Sequence, residues 1–466
     1  MKNNKNFSNF LLIVIIIIAS ICYSCKNEDN YDNNYLTEIS KWVYDWMYDL
    51  YLWYDKMPII VDFSTKTEPE KFFYEELIYK TEDKWSYITN NFAELESELV
   101  KGTPKSMGFY PIFARYGENK VVIIIAYVYS NSPAAKAGLK RGDIIFKING
   151  QFLTIYNYYD LYNQESYTIT LGKYDENNKF QEIKTIQLNA EIIEANPVLF
   201  DTTYNFNNQK TGYLVYVQFI NGEKNKYKDI LSNAINKFKN NNIQNLIVDL
   251  RYNPGGEIEN ATFLGSSLAP ANVARNNEIF IKLNYNNKLQ QYFLDEEGSE
   301  SDNLIIKFDT TVNNLNINKI YFLTTNQTAS ASELLIIGLK SYFKDNLKIV
   351  GSNTYGKYVG SLIIYDFENN PRKHNWAIMP VVLKYSNADD YTDFKDGLTP
   401  DIEITENLLD LKNFGDTLDP FLHYCLNDIR NIETLQQKNK IDKKYHILDN
   451  PLFRIKSNLI VKKFKK

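Results

Sequence analysis

The chain has 466 residues, room for about three domains, with 44% hydrophobic residues and a net charge of −5. Basic and acidic residues are interspersed, and the only basic cluster, Lys462 to Lys466, reads as a solvated tail, which argues against a general nucleic-acid binder. Beyond Cys25 only Cys425 remains, so no intrachain disulfide framework is expected; His374, His423 and His446 are far apart, which argues against a metal site.

Lys2 and Lys5 precede the apolar run Phe10–Cys22, too short to span a bilayer and suited to a signal-peptide core. The small residue Ser24 followed by Cys25 resembles a bacterial lipoprotein signal, with Cys22 departing from the usual Leu. Residues 1–24 are read as the signal, Cys25 as the lipidated residue and 25–34 as a polar tether. The rest of the chain is then exported, to the periplasmic face or cell surface, with the lipid as its membrane contact.

In residues 35–103, Ile39, Trp42, Val43, Trp46, Met47 and Leu50 recur at helical spacing, and Pro58 follows. A small helical N-terminal module is expected. Residues 104–192 change character. The buried-strand run Val121–Tyr129 leads into Asn131-Ser-Pro-Ala-Ala-Lys-Ala-Gly-Leu-Lys-Arg-Gly-Asp-Ile-Ile-Phe-Lys-Ile-Asn-Gly150. Ser132 and Pro133 should start a short helix, Gly138 end it, and Asn149-Gly150 turn a hairpin. This pattern resembles a PDZ domain. Ser106-Met-Gly-Phe-Tyr110 is similar to its carboxylate-binding loop, which implies that Met107, Gly108 and Phe109 bind a peptide's C-terminus while the peptide adds as a strand.

From about 205 to 405 the pattern is α/β: strands at Tyr213–Phe219, Leu246–Arg251 and Lys319–Thr324, with helices between and after them. Two strand-to-helix turns, Asn253-Pro-Gly-Gly256 and Thr328-Ala-Ser-Ala-Ser332, lie where α/β sheets build their sites. Ser330 and Glu333 form an S-x-x-E capping box, and a serine at a helix start is also placed to act as a nucleophile. Such a serine needs a base, and no histidine has a motif context. A lysine serves only when burial keeps it neutral. Lys357, after Gly356 and beside Tyr358 and Val359, is the candidate. An oxyanion hole could come from the backbone N–H of Ala331 with that of Gly255 or Gly256, which the sequence does not separate. Residues 406–466 are read as a C-terminal helical segment, with Asp419–Ile429 its clearest helix.

Asp249-Leu-Arg-Tyr-Asn-Pro-Gly-Gly256, Thr328-Ala-Ser-Ala-Ser-Glu333, Thr354-Tyr-Gly-Lys357 and Gly397-Leu-Thr-Pro-Asp-Ile402 follow the PDZ-like stretch in that order. Together they resemble the carboxyl-terminal processing (tail-specific) serine peptidases, in the branch of exported lipoproteins from Bacteroidetes-type bacteria. The resemblance implies a ClpP/crotonase-like α/β core, Ser330 as nucleophile, Ser332 as a packing or capping neighbour, Lys357 as general base, polypeptide substrates and no cofactor. Where some members carry a lysine-orienting Gln this chain has Ser361, which leaves that role open. The interval from Ser330 to Lys357 is slightly long, with the extra length placed near Lys344–Lys348. The competing readings are a catalytically silent PDZ lipoprotein that holds peptides, and a crotonase-like enzyme acting on thioesters.

Overall fold

In the computed structural model, the described residues are 33–175, 180–206, 209–432, 445–448 and positions 450, 453, 456 and 457. The proposed signal and Cys25 lie outside them. Backbone packing divides the described residues into two units, one holding 33–45 together with 58–77 and the other holding 46–57 with the described residues from 78 onward. Helix α1 (Asn33–Leu50) buries Ile39, Val43, Met47 and Leu50, the apolar stripe expected from the sequence. Within the first unit Tyr44 donates to the Pro58 carbonyl at 3.2 Å, and its ring meets Phe63 edge-on at 5.4 Å.

In the second unit, a β-rich layer contains β1 (Phe109–Tyr116), β2 (Lys120–Val128), β3 (Ile144–Ile148), β4 (Ser166–Tyr174) and β5 (Phe180–Asn189), paired antiparallel in that order. The short helix Pro133–Lys136 starts at Ser132, whose hydroxyl accepts from the Ala135 N–H at 3.2 Å. One face of this sheet buries Phe113, Ile123, Ile145 and Ile169 in a core of its own.

The other layer is a six-stranded sheet of β6 (Val198–Phe206), β7 (Gln209–Tyr216), β8 (Asn245–Asp249), β9 (Lys319–Thr324), β10 (Leu347–Gly351) and β11 (Ile402–Glu403). β6 and β7 are antiparallel; every later pairing is parallel. Helices α2 (Lys226–Asn240), α3 (Ile258–Leu268) and α4 (Ala331–Phe343) make the crossovers, and α5 (Pro420–Ile429) packs on the sheet. Strands β8, β9 and β10 bury both faces, so they read as continuous apolar runs rather than alternating ones. The second face of the PDZ sheet (Ile112, Val122, Ile124) shares a core with Val215, Ile247, Leu323 and Phe421, so the two layers pack as one body. Strand β12 (Tyr445–Ile447) then adds antiparallel to β1. The C-terminal segment is therefore not helical throughout. β1 offers an unpaired edge, and edge pairing outweighs the weak local preference of so short a stretch.

Arg251 sits fully buried where the layers meet. It donates to Asp249 at 2.7 Å, and to Glu406 and Asp419 at 2.9 Å each. Burial works against its charge, but Asp249, Asp419 and Glu406 outweigh that and hold it firmly ionised. Arg141, from the PDZ turn, reaches the same Glu406 at 2.7 Å and the Tyr252 hydroxyl at 2.8 Å. Replacing Arg251 with Met strands the acidic groups in low dielectric. A loss of about 3–5 kcal/mol is expected, read as a lower urea midpoint by tryptophan fluorescence.

Candidate active site

Three loops converge at the carboxyl ends of the adjacent parallel strands β8, β9 and β10: Asn253–Gly256, Thr325–Ser330 and Ser352–Lys357. Backbone bonds tie them together. Ala329 N–H donates to the Asn253 carbonyl at 3.0 Å, and Tyr355 N–H to the Thr328 carbonyl at 2.9 Å. The Thr328 hydroxyl donates to the Leu250 carbonyl at 2.7 Å.

Ser330 is fully buried and precedes the first residue of α4 with φ +59° and ψ −116°. A non-glycine residue there costs about 1–3 kcal/mol and persists only when its surroundings hold it. The holding group is Glu333. One carboxylate oxygen accepts from the N–H of Ser330 at 2.8 Å and of Lys357 at 2.9 Å. The other accepts from the Thr354 hydroxyl at 2.5 Å and the Gly356 N–H at 2.7 Å. The expected capping box is present, but the same side chain also fastens the lysine loop. Burial raises the Glu333 carboxyl to about 7, with the four hydrogen bonds pulling the other way. Tyr385 makes a second bridge: its hydroxyl contacts the backbone carbonyls of both Ser330 and Lys357.

Lys357 is fully buried, and desolvation lowers its amine to about 7 despite the opposing charges of Asp83 and Glu333. Among the described residues no hydrogen bond joins its amine to Ser330 Oγ; the amine donates to the Ser457 carbonyl at 2.6 Å. Asp83 is fixed by the Tyr51 hydroxyl at 2.8 Å and the N–H groups of Trp85 and Ser86 at 2.9 Å each.

Gly255, at φ +107°, lies against the serine: a Cβ there would fall 2.6 Å from Ser330 Cβ and 2.8 Å from Ala331 N. Its own N–H donates to Asn253 Oδ1 at 2.9 Å. The N–H groups of Ala331 and Gly256 make no hydrogen bond among the described residues. The Ser332 hydroxyl donates to the Asn253 carbonyl at 3.1 Å. Ser361 is buried on the strand Val359–Ser361, and its hydroxyl has no partner among the described residues, so it is not bonded to the Lys357 amine. Gly397 closes on the lysine loop, where a Cβ would fall 2.0 Å from the Thr354 carbonyl oxygen. The PDZ loop residues Met107, Gly108 and Phe109 are buried, and Gly108 N–H donates to Ser106 Oγ at 3.0 Å.

Sequence reasoning missed Asp83, Tyr385 and the long-range half of Glu333. Asp83 and Tyr385 sit in no recognisable motif. Glu333 carried a signal, an acid inside an otherwise small and apolar helix start, but it was absorbed by the capping reading.

Residues 210–404 match the profile of peptidase family S41, 38–87 the peptidase S41 N-terminal domain and 124–157 a PDZ domain. The fold and these matches define a PDZ-containing α/β peptidase architecture, and the chain belongs to peptidase family S41. It is similar to a CtpA-like serine protease of Staphylococcus aureus (strain bovine RF122 / ET3-1), 24% identical over 61% of this chain and 50% of that one. It is also similar to a carboxy-terminal-processing protease of Bartonella bacilliformis (22%, covering 62% and 60%). The chain thus spans about half the length of the first of these relatives. A crystal structure from Bacteroides fragilis NCTC 9343, described as an S41 protease, superposes with TM-score 0.69 and 26% identity over 84% of this chain and 98% of that one.

Glu333→Gln replaces two acceptor oxygens by one and turns an amide NH2 toward buried donors. About 1–3 kcal/mol of stability should be lost for each donor left unsatisfied, and Thr354→Val, which removes the bond to Glu333 and the one its oxygen accepts from the Leu398 N–H at 2.7 Å, should lose a comparable amount. Urea midpoints of both variants check this.

Proposed function

We propose that the chain is a serine endopeptidase that hydrolyses exported polypeptides through an acyl-enzyme. The single observation that carries this is a lysine amine, buried to near neutrality, whose backbone shares one carboxylate oxygen with the backbone of a serine at a helix start. Ser330 Oγ attacks the substrate carbonyl while the neutral Lys357 amine takes its proton. The amine then returns that proton to the departing amine of the substrate, and water, deprotonated in the same way, releases the acyl group. The oxyanion falls to the N–H groups of Ala331 and Gly256, while Gly255 allows the two loops to approach. As Lys357 becomes an ammonium, the neighbouring charges of Asp83 and Glu333 favour the form it has just adopted. A PDZ domain on the same body suits capture of a polypeptide end. Attachment to a membrane through Cys25 belongs to this proposal and rests on the N-terminal sequence alone. A silent peptide holder would have no use for an amine kept uncharged at the cost of burial.

Cleavage of an unfolded protein by residues 26–466 should disappear in Ser330→Ala and fall about 10²–10⁴-fold in Lys357→Ala, whereas Ser332→Ala retains activity. Retained full cleavage by Ser330→Ala rejects the assignment. Activity should also rise with pH. The amine is protonated and idle below about 7 and neutral above it, with Glu333 titrating in the same range, so kcat/KM should show an acid limb near pH 7 that belongs to the pair. Stability has its own signs. Between about 7 and the ordinary lysine value the unfolded chain holds a proton on Lys357 that the native state lacks, so this group's contribution to stability increases with pH there. Glu333 acts oppositely between the ordinary carboxyl value and about 7, where the native state holds the extra proton.

A further inference from the structure

The described residues of the C-terminal segment make contacts that run from the PDZ sheet to the candidate base. β12 pairs antiparallel with β1, His446 opposite Arg115 and Ile447 opposite Ala114. Leu448 N–H donates to the Phe113 carbonyl at 2.8 Å, and Asn450 Nδ2 to the Pro111 carbonyl at 3.2 Å. The segment therefore descends β1 toward the 106–109 loop, in the manner of a peptide adding to a sheet edge. Leu448 packs on the PDZ core. Phe453 meets the ring of Tyr355, two residues before Lys357, at 5.2 Å and nearly perpendicular. Lys456 enters a cleft of about 630 Å³ whose lining includes Glu98, Met107, Phe109, Tyr110 and Tyr129, and its amine pairs with Glu98 at 2.5 Å. One residue later the Ser457 carbonyl accepts a hydrogen bond from the Lys357 amine at 2.6 Å.

We propose that this path is the substrate channel, that Glu98 selects a polypeptide with Lys or Arg immediately before the residue whose carbonyl reaches Lys357, and that the chain's own tail fills the channel until a substrate displaces it. The claim that the channel serves substrate rests on the peptidase reading; the claim that the tail fills it does not. A tail serving only as a cover needs apolar contacts. This one makes such contacts through Leu448 and Phe453 but also brings a cation to a partly buried acid and a backbone carbonyl to the amine that must act as base. Lys456 illustrates the selection. Burial disfavours its charge, yet Glu98 holds the ammonium charged above the ordinary lysine range, so a neutral or acidic side chain in this place would leave Glu98 without its partner.

The test uses the full chain in two settings. In a Ser330→Ala background, amide exchange of residues 113–116 reports tail docking without catalysis. Lys456→Glu should speed that exchange at least tenfold, and the double swap Glu98→Lys with Lys456→Glu should slow it again. Exchange that is the same in all three overturns tail docking. With Ser330 intact, Lys456→Glu should raise kcat/KM for a short peptide substrate several-fold, and an added peptide of residues 445–457 should inhibit it competitively. A peptide library should show preference for Lys or Arg at the Glu98 position, switching to Asp or Glu in Glu98→Lys; an unchanged preference overturns the assignment of Glu98. If the exchange pattern appears while no variant cleaves anything, tail docking is supported and it is the peptidase reading that fails.

Discussion

A single buried carboxylate, Glu333, closes the arrangement on which the candidate site depends. A charged acid out of water is costly unless its lone pairs are filled, and here four donors fill them: the Ser330, Gly356 and Lys357 N–H groups and the Thr354 hydroxyl. Only one of these is local to the helix that carries Glu333. The other three come from the loop after β10, so the carboxylate is satisfied only when both loops are in place. The cost of the unusual Ser330 backbone is met in the same way, because the N–H that is held belongs to the strained residue itself. Tyr385, from the strand Val381–Ser386 of a separate sheet, repeats the bridge from the carbonyl side.

The lysine is tuned by opposed effects rather than by one. Desolvation is the largest and lowers the amine; Asp83 and Glu333 raise it. Were burial alone at work, the amine would be a poor proton acceptor, since it would gain nothing on becoming charged. Were the acids alone at work, it would already be protonated at neutral pH. A value near 7 leaves it largely neutral in mildly alkaline conditions and still basic enough to take a proton. Asp83 keeps its position through a tyrosine hydroxyl and two N–H groups of its own turn, so its charge acts from a fixed place.

What the sequence disclosed and what it withheld divide by range. Local grammar was readable: the Ser132 cap, the Gly138 stop, the apolar stripe of α1, the buried runs of β8 and β9, and the turns that follow those strands. The resemblance drew Ser330, Lys357 and the Gly-Gly turn together because each sits in a short motif. Contacts between distant segments carried no such mark. Nothing near Asp83 or Tyr385 signals that either faces Lys357. Gly255 and Gly256 are identical in sequence terms; the structure separates them, because the Asn253 side chain occupies the N–H of Gly255 and not that of Gly256, and because Gly255 is the one that lies against Ser330. The strand at Tyr445–Ile447 carries no local mark, because its pairing is decided by a partner strand more than 300 residues earlier.

The placement of the PDZ sheet also follows from electrostatics at the layer boundary. Arg141 donates to Glu406 and to the Tyr252 hydroxyl, while Arg251 contacts the same Glu406 and is held by Asp249 at the end of β8. Tyr252 immediately precedes the Asn253–Gly256 loop. The PDZ turn is therefore fastened to the stretch of backbone that leads into the proposed oxyanion donors, through groups too buried to be left unpaired without penalty. A shift of the PDZ layer would have to break these charge-assisted bonds or carry Tyr252 with it. The sheet edge that receives β12 and the loop that approaches Ser330 are in this way held in one frame, so a strand seated on β1 meets the serine and lysine loops at a defined position.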